Sequence, residues 1–121
     1  MKTLEKWYKI IHFRNLIFDG KYEVSNWGNI RNTKTKAPLA FFSNKKEGKG
    51  YLKTKILDIK KQRRTLYIHQ LVAFFFVEGF EEGKEVNHKD GNIRNNSFTN
   101  LEWISHKENC NHFHKNYRRE I

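Results

Sequence analysis

The sequence predicts an α+β fold in which a β-rich N-terminal half packs, through one apolar helix, on a C-terminal strand–loop–strand–helix unit. Three observations predict it. Segments before Ile68 are short, alternate apolar with polar side chains, and are separated by Asn and Gly turn chemistry. From Ile68 the period changes, and Ile68, Leu71, Val72 and Phe75 fall at i, i+3, i+4 and i+7. Later, Ser105-His106-Lys107-Glu108 has the form of a capping box, with Ser at the N-cap and Glu three residues on.

The elements follow in order. Trp7 to Ile11 reads as a short strand. Tyr22-Glu23-Val24 alternates, Ser25-Asn26-Trp27-Gly28 is turn chemistry, and Ile30-Arg31 resumes a strand. Gly28 supplies the backbone freedom such a reversal needs. Lys45–Gly50 is a basic, Gly-containing loop. Tyr51–Ile59, with Leu52 and Ile56 on one face, pairs with Arg63–Ile68 as a hairpin. The helix Ile68–Val77 is apolar on most of its circumference, as expected for an element buried between two halves. Glu85-Val86-Asn87-His88 reads as a strand, Asp90-Gly91 as a turn, Asn95–Asn100 as a polar loop and Leu101–Ile104 as a second strand. A helix begins near His106 and runs towards His114. The domain division expected is 1–66 and 67–121.

The chain of 121 residues suits one compact domain or two small subdomains sharing a core. Aromatic residues make up 15%, enough for a real core, although mean hydropathy is −0.88. The formal charge of +11 and pI near 9.8 favour polyanionic partners, nucleic acid before an acidic membrane surface. The single Cys110 excludes an intramolecular disulfide framework and fits a reducing compartment. The N-terminus has no apolar signal-like region, and the longest apolar run, Leu71–Val77, is far short of a membrane span. The expectation is a soluble, cytoplasmic protein with no membrane partner.

The polar residues of the last third carry the chemistry. His88 ends a strand, Asn100 precedes the next, and Asn109 lies in the first turns of the helix. They converge only if hairpin and helix fold together. Phosphodiester hydrolysis needs a base for water, which neutral His provides near pH 7. It also needs a group that holds that base in place, and stabilisation of charge on the phosphate, for which a divalent metal serves.

Val86-Asn87-His88-Lys89-Asp90-Gly91-Asn92, then Asn100-Leu101-Glu102-Trp103, then Glu108-Asn109 resembles the HNH endonuclease family with its ββα-metal fold, and within it the branch of phage and intron homing enzymes. The spacing also matches, with twelve residues from His88 to Asn100 and nine more to Asn109. His69-Gln70-Leu71-Val72-Ala73-Phe74-Phe75 resembles the helix that precedes the motif in that branch. Trp7 to Ile11, followed by Tyr22-Glu23-Val24-Ser25-Asn26-Trp27-Gly28-Asn29-Ile30-Arg31, resembles the NUMOD4 module that often precedes it. The resemblance implies a metal-dependent endonuclease acting on DNA, double-stranded by preference, with Mg²⁺ or Mn²⁺ as cofactor. It implies His88 as general base, Asn100 as the residue that ties the loop and holds His88 in register, and Asn87 and Asn109 as metal ligands. It further implies a phage or mobile-element origin, hence the cytoplasm of a bacterial host, and a homodimer or a phage protein as candidate partner. The best-known family pattern has Asp at the position of Asn87. An amide offers an oxygen but no charge, so weaker metal affinity is expected.

Asp90, His112 and Arg94 are candidates for a further metal or phosphate contact, and Arg94 is the best placed to steady a phosphate. For DNA contact the candidates are Arg31, Lys45, Lys46, Lys49, Arg63 and Arg64. His69 reads as a cap or core histidine and Trp103 as a core anchor. His106, Cys110 and His114 share a helix face, but zinc normally takes four ligands from at least two segments. Two other readings stand beside the nuclease: a catalytically weak DNA-binding protein that keeps the same scaffold, motivated by Asn87, and an RNA-binding or structural phage protein.

Overall fold

The computed structural model describes residues 3–43 and 50–107. Among them are nine short strands, one α-helix and one 3₁₀ turn, a strand-rich α+β architecture. The order is β1 (Trp7–Lys9), β2 (His12–Phe13), β3 (Leu16–Ile17), β4 (Tyr22–Ser25), β5 (Ile30–Asn32), β6 (Lys53–Leu57), β7 (Arg63–Tyr67), α1 (Ile68–Phe76), β8 (Glu85–His88), the 3₁₀ turn (Phe98–Asn100) and β9 (Leu101–Ile104). All strand pairings are antiparallel: a β1-β4-β5 sheet and the hairpins β2–β3, β6–β7 and β8–β9.

β4 places Val24 fully inside, paired with Tyr8 and Ile30 in register. Its neighbour Glu23 is also buried, and remains ionised because it has partners. Arg31 Nε lies 2.6 Å and Lys36 Nζ 3.3 Å from Glu23 Oε1. Burial alone raises the Glu23 pKa, but the hydrogen bonds from Arg31 and Lys36 outweigh it and hold the carboxyl below its usual range. The first expected strand ends at Lys9, not Ile11. Ile10 then turns into the core, and a hairpin that the pattern did not suggest, β2–β3, follows. Its reversal puts Arg14 at φ 57, a position usually signalled by Gly or Asn. Phe13 and Phe18 on either side of it are buried.

The 51–59 segment forms a strand only over Lys53–Leu57. Asp58 closes the β6–β7 turn by accepting the Lys60 and Gln62 amides and Arg64 Nε, each at 2.9 Å. The backbone enters α1 directly from β7, without a side-chain cap, and Ile68 N–H donates to Leu52 O. Ile68, Leu71, Val72 and Ala73 are wholly buried, as a helix apolar on most sides requires. α1 packs on β4, β7, β8 and β9. One core therefore draws Ile10, Phe13, Val24 and Ile30 from the first half, and Leu101 and Trp103 from the last third. Trp103 anchors β9 to the end of α1, its Nε1–H shared between the carbonyls of Ala73 and Val77 at 3.2 Å. No helix of the described residues is long and apolar enough to cross a membrane.

His106 and Lys107 begin a helical turn, and His106 Nδ1 pairs with Glu85. The rest of the helix expected from the capping box, with Asn109, Cys110, His112 and His114, lies outside the described residues. So do Lys45, Lys46 and Lys49.

Candidate active site

The β8–β9 hairpin brings the site residues together. β8 delivers Asn87 and His88, and its register sets Asn87 opposite Glu102 and His88 opposite Leu101. Beyond His88 the chain turns through Lys89-Asp90-Gly91 and returns by a loop rich in Asn. Asn100 closes that loop: its Nδ2 donates to Asp90 Oδ1 and to the Asn95 carbonyl, both at 2.9 Å, and its Oδ1 accepts the Asp90 amide at 3.1 Å. Its backbone carbonyl accepts Lys89 N–H. Asn100 thus ties the loop together.

The hydrogen-bond partner of the His88 ring is Asn96. His88 Nε2 lies 2.8 Å from Asn96 Oδ1, and both side chains are buried. Asn96 lies in a segment the sequence marks only as a polar loop. Its one signal was the tandem Asn95-Asn96, which did not say which amide faces inward.

A layer of rings backs His88. Tyr51 stacks on it at 5.9 Å between centroids, His69 lies at 5.1 Å from it, and Tyr67 flanks His69 at 5.7 Å. His69 is a core histidine, not a cap. It is nearly fully buried and its Nδ1 has no hydrogen-bond partner among the described residues. Burial, with a smaller contribution from the charge of His88, drives its pKa down to about 3, so the imidazole is neutral at any ordinary pH.

Asp90 has both oxygens engaged. Oδ1 accepts the Asn92 amide and Asn100, and Oδ2 accepts Asn95. The Asn95 bond, then the Asn92 amide, hold its carboxyl below the usual range. Its hydrogen bonds brace the loop. Asn87 is buried, and its Nδ2 donates to Glu102 Oε1 at 3.0 Å, which turns its carbonyl oxygen to the opposite side. That oxygen is a hard, neutral donor of the kind Mg²⁺ or Mn²⁺ accepts, and Glu102 places a negative charge one hydrogen bond away. No group of three or more His, Cys, Asp or Glu among the described residues is arranged to hold a metal. Among the described residues, Asn87 Oδ1 is thus the oxygen that fits such a cation.

Arg94 Nη2 lies 3.4 Å from Ser43 Oγ, and its buried Nε has no partner among the described residues. Of the basic candidates, Arg63 is exposed. Arg64 is paired with Asp58, and Arg31 is held by Glu23 and lies 3.6 Å over the Trp7 ring.

Comparison with known proteins agrees with this geometry. Residues 66–110 match a family model described as HNH endonuclease. An uncharacterised HNH endonuclease of Acanthamoeba polyphaga mimivirus is 41% identical over 88% of this chain and 29% of its own length. The DNA endonuclease I-HmuI of Bacillus phage SP01 is 40% identical over 76% of this chain and 51% of its own. A solved structure described as DNA binding and cleavage by the HNH homing endonuclease I-HmuI superposes with a TM-score of 0.76 at 34% identity. It covers 92% of this chain and 59% of that one. Residues 66–110 are thus similar to the HNH endonuclease family. Within it, the similarity runs to phage homing enzymes, and the chain spans about half or less of the length of the first two relatives.

Proposed function

We propose that this chain hydrolyses DNA phosphodiester bonds, with His88 as general base. The observation that carries the reading is the hairpin: the end of β8 carries a buried imidazole, hydrogen-bonded at Nε2, and, next to it in sequence, the buried amide of Asn87. His88 takes a proton from water, the resulting hydroxide attacks phosphorus, and the 3′ oxygen leaves, taking up a proton from water. The products are a 5′-phosphate and a 3′-hydroxyl. Asn100 keeps the loop closed under the site. Asn87 and Asn109 are the residues that would hold Mg²⁺ or Mn²⁺, which neutralises charge on the phosphate and the leaving oxygen when bound. Duplex DNA is the substrate this reading takes, supported by the likeness to the I-HmuI structure, described as one of DNA binding and cleavage, and by the charge of +11.

Residues 1–66 are, on this reading, a NUMOD4-like DNA-binding region and residues 67–121 the nuclease region. Support comes from the extent of the structural likeness, 92% of the chain, which takes in the N-terminal half. Exposed Arg63, and Lys45, Lys46 and Lys49, are its phosphate contacts. A single copy nicks; a homodimer cuts both strands.

Conversion of supercoiled plasmid tests this, with Mg²⁺, Mn²⁺ and EDTA compared. Metal-dependent open-circular or linear product supports the nuclease. Asn87 favours one second reading, a weakly catalytic DNA-binding protein on the same scaffold. Plasmid retarded in a gel but never cut, whatever the metal, supports that instead.

A further inference from the structure

The turn between β4 and β5 reaches the loop that holds His88. Ser25 Oγ accepts the amides of Trp27 and Asn29, and Asn26 accepts Lys6 N–H and donates to Leu4 O, so the turn is fixed from several sides. Across from it, Phe98 N–H donates to Asn26 O at 2.8 Å. Gly28 lies against Asn96 itself. A Cβ at Gly28 would stand 3.0 Å from Asn96 Cβ and 3.1 Å from Asn96 O. Asn96 is thus held between the N-terminal turn and the ring of His88.

The chemistry of that contact is directional. A carbonyl oxygen carries no proton, so an Asn96 Oδ1 at 2.8 Å from Nε2 requires the proton to sit on Nε2. A neutral imidazole has one N–H, which leaves Nδ1 as the basic nitrogen. We propose that Asn96 is a positioning residue that fixes the tautomer and direction of His88, and that Gly28, from the N-terminal half, holds Asn96 in place. The β4–β5 turn is then part of the catalytic scaffold as well as of any DNA-binding surface. This rests on the reading of His88 as the base.

Ring ¹⁵N spectra of the metal-free, DNA-free protein at alkaline pH test the tautomer, with His88→Gln to assign the signals. The expected result is a protonated Nε2 and an unprotonated Nδ1, becoming a mixture in Asn96→Ala. A protonated Nδ1 in the native protein, or spectra unchanged in Asn96→Ala, would overturn the proposal. These spectra decide the matter even if the native protein cuts nothing, an outcome that counts against the nuclease reading instead.

Cleavage kinetics test Gly28. Gly28 and Gly79 both have positive φ, 92° and 102°, but among the described residues nothing lies within 4 Å of a Cβ at Gly79. Gly28→Ala and Gly79→Ala therefore share a backbone penalty and differ in the push on Asn96. Gly28→Ala should lower kcat between about tenfold and a hundredfold at unchanged KM, as a small misplacement of a reacting group does, while Gly79→Ala stays within about twofold. Asn96→Asp, which keeps an acceptor oxygen, should restore most of the kcat lost in Asn96→Ala. Equal losses in the two glycine variants, a loss confined to KM, or no rescue by Asp would each contradict it.

Discussion

Asn87 and Glu102 face each other across the β8–β9 hairpin, the amide nitrogen of one 3.0 Å from a carboxylate oxygen of the other. The pair explains how a neutral residue occupies a position where the family pattern has Asp. The amide donates to Glu102, whereas a carboxylate there would oppose it. Asn87→Asp sets two like charges directly across a strand pair, which is destabilising until a cation intervenes. The metal-free variant should melt below the native protein, Mg²⁺ should raise its Tm by more, and its cleavage should need less Mg²⁺. Thermal melts with and without metal check the first two.

Asn100→Ala removes three hydrogen bonds at once and leaves the Asp90 amide and the Asn95 carbonyl without their partner. A cost of about 1–3 kcal/mol is expected. Urea unfolding measures it. The variant should also lose cleavage, because the loop it closes carries Asn96.

His69 makes stability depend on pH. Its folded pKa, about 3, lies below its unfolded value near 6.5. Between those values the unfolded chain binds a proton that the folded chain refuses, so stability is full above pH 6.5 and falls as pH drops towards 3. The lowered carboxyls Glu23 and Asp90 work in the same direction but begin only near their own unfolded values, 4.5 and 3.8. His69→Phe should flatten the fall between pH 6.5 and 4.5. Unfolding of both proteins across that range checks this, and parallel curves would count against it.

The basic residues divide by their partners. Arg31→Ala takes the stronger partner from buried Glu23 and should cost roughly 1.5–3 kcal/mol. Arg63→Ala should leave Tm unchanged and lower the salt slope of DNA binding by about one. Melting curves and a salt titration of affinity separate the two.

Period and turn chemistry made β4, β5, the β6–β7 hairpin, α1 and the β8–β9 hairpin legible from the sequence, each within a residue or two. The β2–β3 hairpin was hidden because its turn places Arg14, not a glycine, at positive φ. In the site, His88 and Asn100 stood out by spacing. Asn96 did not, because its role depends on which of several neighbouring amides the folded loop turns inward. The sequence suggests Asp90 as a candidate metal or phosphate contact; the three hydrogen bonds that hold it in the loop are visible only in the fold. Tyr51, just before β6, and His69, in the first turn of α1, reach His88 from segments distant in sequence, contacts no local pattern records.

The central claim is that His88 is the base for DNA hydrolysis. Single-turnover cleavage of duplex DNA by the native protein and by His88→Ala, both saturating and with Mg²⁺, tests it most directly. The account predicts a loss of about a hundredfold or more in rate at unchanged DNA affinity. Equal rates for the two proteins would contradict it.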